Sequence, residues 1–242
     1  MTLAEKEAYE NSEDVYNVSK CASYQRSLGR RTVPVREDET RHTQPPMKRS
    51  SMESQVNEAI RSHIAQQWPS HRITDEQWTK GPVSDVMPEL RILVAVPRKS
   101  GEPCIYITCG ASDIDVGATY RIEFFLYSRS FELRHVELLS MVTYMHRVPE
   151  HRFDVGHTMK IGWPWEDASA CDRLLVSLPY SPGKRFEILH LPNGGQVRFL
   201  WLVPITAEEQ AFGRREGIEA LESRFEDAGI DFMDPKRASV AS

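Results

Sequence analysis

The sequence predicts an α+β domain, with a mixed, largely antiparallel sheet of about six strands flanked by helices. Three observations predict it. Short apolar runs of strand length recur from residue 90 onward. Longer segments on either side of them carry apolar residues at helical spacing, opened by capping signals. Asn193-Gly194-Gly195 separates two of the short runs, and Asn-Gly favours a hairpin because both residues tolerate positive φ.

Residues 1–49 stand apart from this pattern. They hold nine Lys/Arg and eight Asp/Glu, few large aliphatics and no sustained period. Such a stretch cannot bury enough apolar surface to order itself, so a disordered tail is expected, with residues 50–242 as the folded domain. A translation start at Met52 is a second explanation of the same break in composition.

The first helix is expected over about 51–68. Ser50 and Glu53 have capping-box spacing, Val56, Ile60 and Ile64 recur every four residues, and Pro69 stops the helix. Strands follow at 90–96 (LRILVAV), 104–108 (CIYIT) and 119–127 (TYRIEFFLY). In the last, Tyr120, Ile122, Phe124 and Leu126 share one face, with Arg121 and Glu123 on the other. A second helix is expected from Glu132 to Arg147, on the stripe Leu138, Met141, Val142 and Met145. Residues 150–173 read as irregular, and 174–178 (LLVSL) as a short strand. The second hairpin run, 197–203, is apolar on both faces except Arg198, which places it centrally in the sheet. Thr206 and Glu209 form another capping box and Gly229 a stop, giving a third helix over about 207–228. Gly213 and Gly217 inside it cost roughly 1 kcal/mol each against alanine.

Composition excludes several functions. A net charge of −5 with 27% charged residues gives no basic surface for nucleic acid. No apolar run is long enough for a membrane helix. Four cysteines without a C-x-x-C pair read as reduced thiols of a cytoplasmic protein, and Cys104 and Cys109, five apart on one strand, point to opposite faces. His146, His151 and His157 cluster around Asp154, but Pro149 breaks the helix that a zinc motif needs, so no metal site is expected. Phosphate loops are absent, and no cofactor is expected.

The segment CGASD raises the question of catalysis. A hydrolase would use Ser112 or Cys109 as nucleophile, with Asp113 and His157 as helpers. A nucleophile elbow, however, needs G-x-S-x-G leading into a helix, and Gly110-Ala111-Ser112 leads to Ile114 and then a strand. Gly110, Ser112 and Asp113 therefore read as a structural turn. Trp163-Pro164-Trp165 and Tyr180 suit either an aromatic contact patch or a satellite of the core.

Residues from about 90 to 240 resemble the suppressor of fused domain, found alone in many bacterial proteins and as the N-terminal domain of an animal Hedgehog-pathway regulator. Four stretches carry the likeness. ITCGASD followed by RIEFFLY is similar to the family's "tyGmSd … ElflrL". LLSMVTYMHRVPEHRF resembles its helix end, and VGHTMKIG its "Gh" loop. LPNGGQVRFLWLVPITAEEQAFGRREGIEALESRFEDAGID follows its long ending. The likeness covers about two-thirds of the chain and leaves the tail outside.

The resemblance implies a mixed sheet flanked by helices and a binding role in place of catalysis. Animal members clamp an extended peptide of a transcription factor beside sheet edges, using a second, C-terminal domain. The chain ends too soon after its third helix for that lobe, so a two-lobed clamp is not expected. Bacterial single-domain members are often inferred to be immunity proteins that neutralise toxins. By position, Tyr144 and Phe153 match aromatics of the peptide-facing region, and His157 matches the loop histidine. Gly156 stands where animal members tend to be acidic, with Asp154 as the nearby substitute. The expected partner-binding residues are Tyr144, Phe153, Asp154, His157, Trp163 and Trp165, and the expected partner is a protein or peptide, a toxin among the candidates. The competing readings are the hydrolase and a homo-oligomeric scaffold.

Overall fold

The computed structural model describes residues 47–114, 121–192, 194–234 and 236–241. The expected tail, up to residue 46, lies outside the described residues, as do Tyr120 and Asn193.

Helix α1 (Met47–Gln67) opens the fold. Strands β1 (His71–Glu76), β2 (Arg91–Pro97), β3 (Cys104–Cys109) and β4 (Arg121–Ser128) pair as an antiparallel meander. The short helix α2 (Pro82–Val86) bridges β1 and β2, and α3 (Leu133–His146) follows β4. Four strands complete the sheet: β5 (Thr158–Lys160), β6 (Arg173–Ser177), β7 (Ile188–His190) and β8 (Gln196–Ile205). One turn of helix, α4 (Lys184–Glu187), precedes β7, and α5 (Ala207–Glu216) and α6 (Ile218–Ala228) follow β8. The order across the sheet is β1-β2-β3-β4-β8-β6-β5, with β7 also against β8. Among the described strands only the β4–β8 pair is parallel, so the sheet is mixed.

Alternation along the strands feeds two cores, one on each face of the sheet. Ile92, Tyr106, Ile122, Phe124, Leu200 and Leu202 face α3, where Val136, Leu139, Val142 and Met145 meet them. Leu93, Ile107, Phe125, Phe199, Trp201 and Val203 face the other way, against Val56, Ile60 and Ile64 of α1 and Phe212, Leu221 and Phe225 of α5 and α6. β8 is buried on both faces, in the central place its composition predicts. Cys104 lies in the first core and Cys109 in the second, as their odd separation requires. With Cys171 they are free thiols.

The structure corrects four expectations. The sheet holds eight strands, because His71–Glu76 and the three-residue Thr158–Lys160 are strands as well. Helix α1 begins at Met47, so Ser50 and Glu53 fall inside it; no glycine or proline between 47 and 50 halts the extension. The run before the hairpin gives up Phe186 and Glu187 to helix α4, leaving β7 only three residues. The expected third helix is two helices, broken at Gly217 with φ +98° and ψ 152°. A Cβ on Gly213 would lie 3.0 Å from Ile218 Cδ1 and 3.3 Å from Leu221 Cδ2. The two glycines thus let α6 fold back closely on α5.

The capping box forms as expected. The Thr206 side chain accepts from Glu209 N, and Glu209 Oε2 accepts from Thr206 N at 2.9 Å. The same carboxylate takes both Nη1 and Nη2 of buried Arg237, at 2.6 and 2.7 Å, and so pins the C-terminal segment to the start of α5. Arg237 Nη2 also donates to Pro204 O at 2.9 Å.

Candidate functional site

The turn after β3 is built around a buried carboxylate. Glu123, on the α1 face of β4, is fully buried. Its Oε1 accepts from Gly110 N at 3.1 Å and Ser112 N at 3.0 Å, and its Oε2 from Ala111 N at 3.3 Å. Thr108 Oγ1 donates to Oε2 at 2.5 Å and accepts from Phe124 N at 2.8 Å. Gly110 starts the turn at φ +118°, a conformation open to glycine. Successive N–H groups of Gly110, Ala111 and Ser112 then converge on one anion. Burial pushes the Glu123 carboxyl above its ordinary range, against the pull of these hydrogen bonds.

This arrangement does not suit a nucleophile. Ser112 is buried, and its N–H serves the clamp on Glu123. Cys109 is buried too, and burial, with Glu123 nearby, pushes its thiol up, whereas a reactive cysteine needs a lowered one. Asp113 is exposed. Among the described residues no contact joins His157 to Ser112 or Cys109.

The second region is the segment from Phe153 to Trp165. Phe153 is a core residue, edge-on to Phe124 at 6.3 Å, and its N–H donates to His146 Nδ1 at 2.9 Å. Burial, and next Arg152, lower the His146 pKa to about 4, so the ring is neutral and its Nδ1 is free to accept. Asp154 is exposed, and its Oδ1 accepts from Val155 N at 2.8 Å. His157 is half-buried, with Nδ1 3.1 Å from Arg152 O and 3.2 Å from Asp154 N. The histidine therefore ties its own turn together in either tautomer.

Directly after it runs β5, the last strand of the sheet. His157 O accepts from Val176 N at 2.8 Å, and Ile161 N donates to Asp172 O at 2.9 Å. By the alternation of an antiparallel ladder, the N–H and C=O groups of Thr158 and Lys160 point away from β6. Among the described residues no backbone group pairs with them. Trp163 follows, half-buried and packed on the α3-side core. Trp165 is buried and stacks on His135 at 4.3 Å.

Asp154 and His157 thus precede β5 and Trp163 follows it, and among the described residues the outer edge of that strand is unpaired. Phe153 and Trp165 lie beneath that surface as core residues, 1% and 2% exposed, and support it without facing a partner. Tyr144 is half-buried on α3 with the Arg147 guanidinium 5.7 Å from its ring. It is two residues, about 200° around the helix, from the His146 that meets Phe153. The edge itself is what sequence reasoning missed. Its only signal is the polar-apolar-polar triplet Thr158-Met159-Lys160 between Gly156 and Gly162.

Among the described residues no group of three or more His, Cys, Asp or Glu is placed to hold a metal. No described helix is long and apolar enough to cross a membrane.

Comparison with known proteins fits this geometry to a family. A family model described as Suppressor of fused protein (SUFU) matches residues 87–238. A solved structure described as a SUFU homologue from Neisseria gonorrhoeae FA 1090 is 33% identical, with a TM-score of 0.68 over 77% of this chain and 97% of that one. A chain of the Sufu–Fu complex is 17% identical, with a TM-score of 0.51 over 76% of this chain and 92% of that one. Drosophila Suppressor of Fused is 17% identical, with a TM-score of 0.55 over 77% of this chain and 51% of that one, so this chain spans about half its length. The last two likenesses are of fold alone. Among curated proteins none matches the chain.

Proposed function

The chain belongs to the suppressor of fused family, and from that premise we propose that it is a non-enzymatic, protein-binding domain. Its partner supplies an extended segment that adds to the sheet beside β5. The observation that carries this reading is the outward-facing backbone of Thr158 and Lys160, flanked by Asp154, His157 and Trp163. Strand addition supplies affinity through main-chain hydrogen bonds and specificity through the side chains around them. The Sufu–Fu complex supports it by analogy, since that relative is found with a protein partner. Three buried, free thiols suit the cytoplasm. A protein toxin, neutralised by an immunity protein, is the partner class to seek first.

The test is capture of a partner from native lysate by the tagged full chain. Joint substitution Asp154→Ala, His157→Ala and Trp163→Ala is expected to weaken capture roughly tenfold or more. Tyr144→Ala, on the other side of α3, is expected to weaken it less. Undiminished capture by the triple variant with an unchanged melting temperature contradicts the assignment.

A further inference from the structure

The opposite face of the sheet holds a second concave surface. Between the ends of β6 and β8 and helix α6 lies a groove of about 610 Å³. This is large enough for two or three residues of a peptide. Its floor is aromatic: Trp201, on β8, meets Phe232 edge-on at 4.9 Å, and Phe232 meets Phe225 at 5.2 Å. Tyr180 stands at its rim, 58% exposed. Trp201, Phe225 and Phe232 belong to the α1-side core or pack against it, whereas the β5 loop belongs to the α3-side core.

The groove carries one sign of charge. Glu219, Glu222 and Glu226 line it from one face of α6, at spacings of three and four residues. None of its described lining residues is Lys, Arg or His. A solvated helix face would account for Glu219 and Glu226 alone. It does not account for Glu222, which reaches across to the sheet. Glu222 Oε1 accepts from Ser177 Oγ at 2.5 Å and Oε2 from Tyr180 OH at 2.8 Å. Burial, and next the bond to Glu222, push the Tyr180 phenol up to about 12, so it stays a donor to that carboxylate. Carboxylates above aromatic faces are what a guanidinium or ammonium on an aliphatic stem needs: charge at the tip, π surface and apolar contact along the stem.

We infer that this groove binds a basic side chain, foremost arginine, with its apolar neighbours, from a protein partner. The site is separate from the β5 edge and does not depend on it. It also gives the acidic chain a defined place to meet a basic partner.

The test titrates the ¹⁵N-labelled full chain with acetyl-Leu-Arg-Val-amide, and with the same peptide carrying uncharged citrulline for arginine. The arginine peptide is expected to shift the amides of residues 175–181 and 219–232. The citrulline peptide should bind roughly tenfold more weakly. Glu219→Gln with Glu226→Gln, both at exposed positions, should weaken the arginine peptide about three- to tenfold. Equal affinity of the two peptides overturns the inference. So do shifts confined to residues 154–160, or no shift from either peptide up to about 10 mM, a concentration that detects even millimolar binding. None of these outcomes bears on capture through β5, which the Asp154, His157 and Trp163 variant reports separately.

Discussion

The turn at 108–123 and the loop at 153–163 use the same kinds of residue for opposite ends. In the first, a glutamate, a threonine, a serine and a glycine are buried, and their polar groups turn inward onto each other. In the second, an aspartate, a histidine and a strand edge lie at the surface, and Thr158 and Lys160 turn backbone groups outward. The segment that looks catalytic in sequence holds the fold together. The segment that looks like irregular loop contains an edge strand, the place where we propose that another molecule binds. Chemical type alone does not separate the two; burial and the direction of hydrogen bonds do.

The contrast is sharpest at Glu123. Glu123→Ala leaves three buried N–H groups and the Thr108 hydroxyl without their acceptor, and is expected to cost on the order of 3–5 kcal/mol in chemical unfolding. The pH dependence follows from the raised carboxyl. The folded state holds the Glu123 proton more tightly than the unfolded chain. Its contribution is therefore full below the ordinary glutamate value of about 4.3 and is lost as pH rises through the folded value. Wild type should accordingly lose stability relative to Glu123→Gln as pH rises from about 4.3. A flat difference would mean that the clamp offsets burial completely.

His146 links the core to the loop and shifts the other way. Its pKa is about 4 when folded against the ordinary 6.5, so stability is lost as pH falls from 6.5 and the loss is complete below about 4. The difference is worth about 3 kcal/mol at most. Protonation also removes the acceptor of Phe153 N–H, at the root of the loop that carries Asp154 and His157. His146→Gln, which keeps an acceptor and cannot titrate in this range, should remove that part of the acid dependence in unfolding measured from pH 7 to 4.

How much was legible in the sequence follows the same division. The central strands were, because β2, β4 and β8 are buried on both faces and their residues say so in LRILVAV, RIEFFLY and VRFLWLV. The edges were not. β1 is HRITDE, with Arg72, Asp75 and Glu76 among its six residues, and Asp75 pairs with Arg61 of α1. β5 has one buried residue, Met159, too few to show a period. An edge strand lacks the second neighbour that enforces a pattern, so its identity depends on partners far along the chain. The α5–α6 turn was half legible: the glycines stood out, but only the approach of Ile218 and Leu221 to Gly213 explains them. Of the residues expected to meet a partner, Asp154, His157 and Trp163 flank β5, while Phe153 and Trp165 face inward because Phe124 and His135 offer them ring contacts. Nothing local in Glu123 showed that its partners stand 11 to 15 residues earlier.

The most direct test of the central claim is Lys160→Pro, measured at once for partner capture and for thermal unfolding. An edge strand tolerates proline where its N–H faces outward, so stability should change by less than about 1 kcal/mol. The lost donor and the ring should block an incoming strand, and capture should fall below detection. Capture at wild-type strength by a stably folded Lys160→Pro variant would contradict binding at the β5 edge.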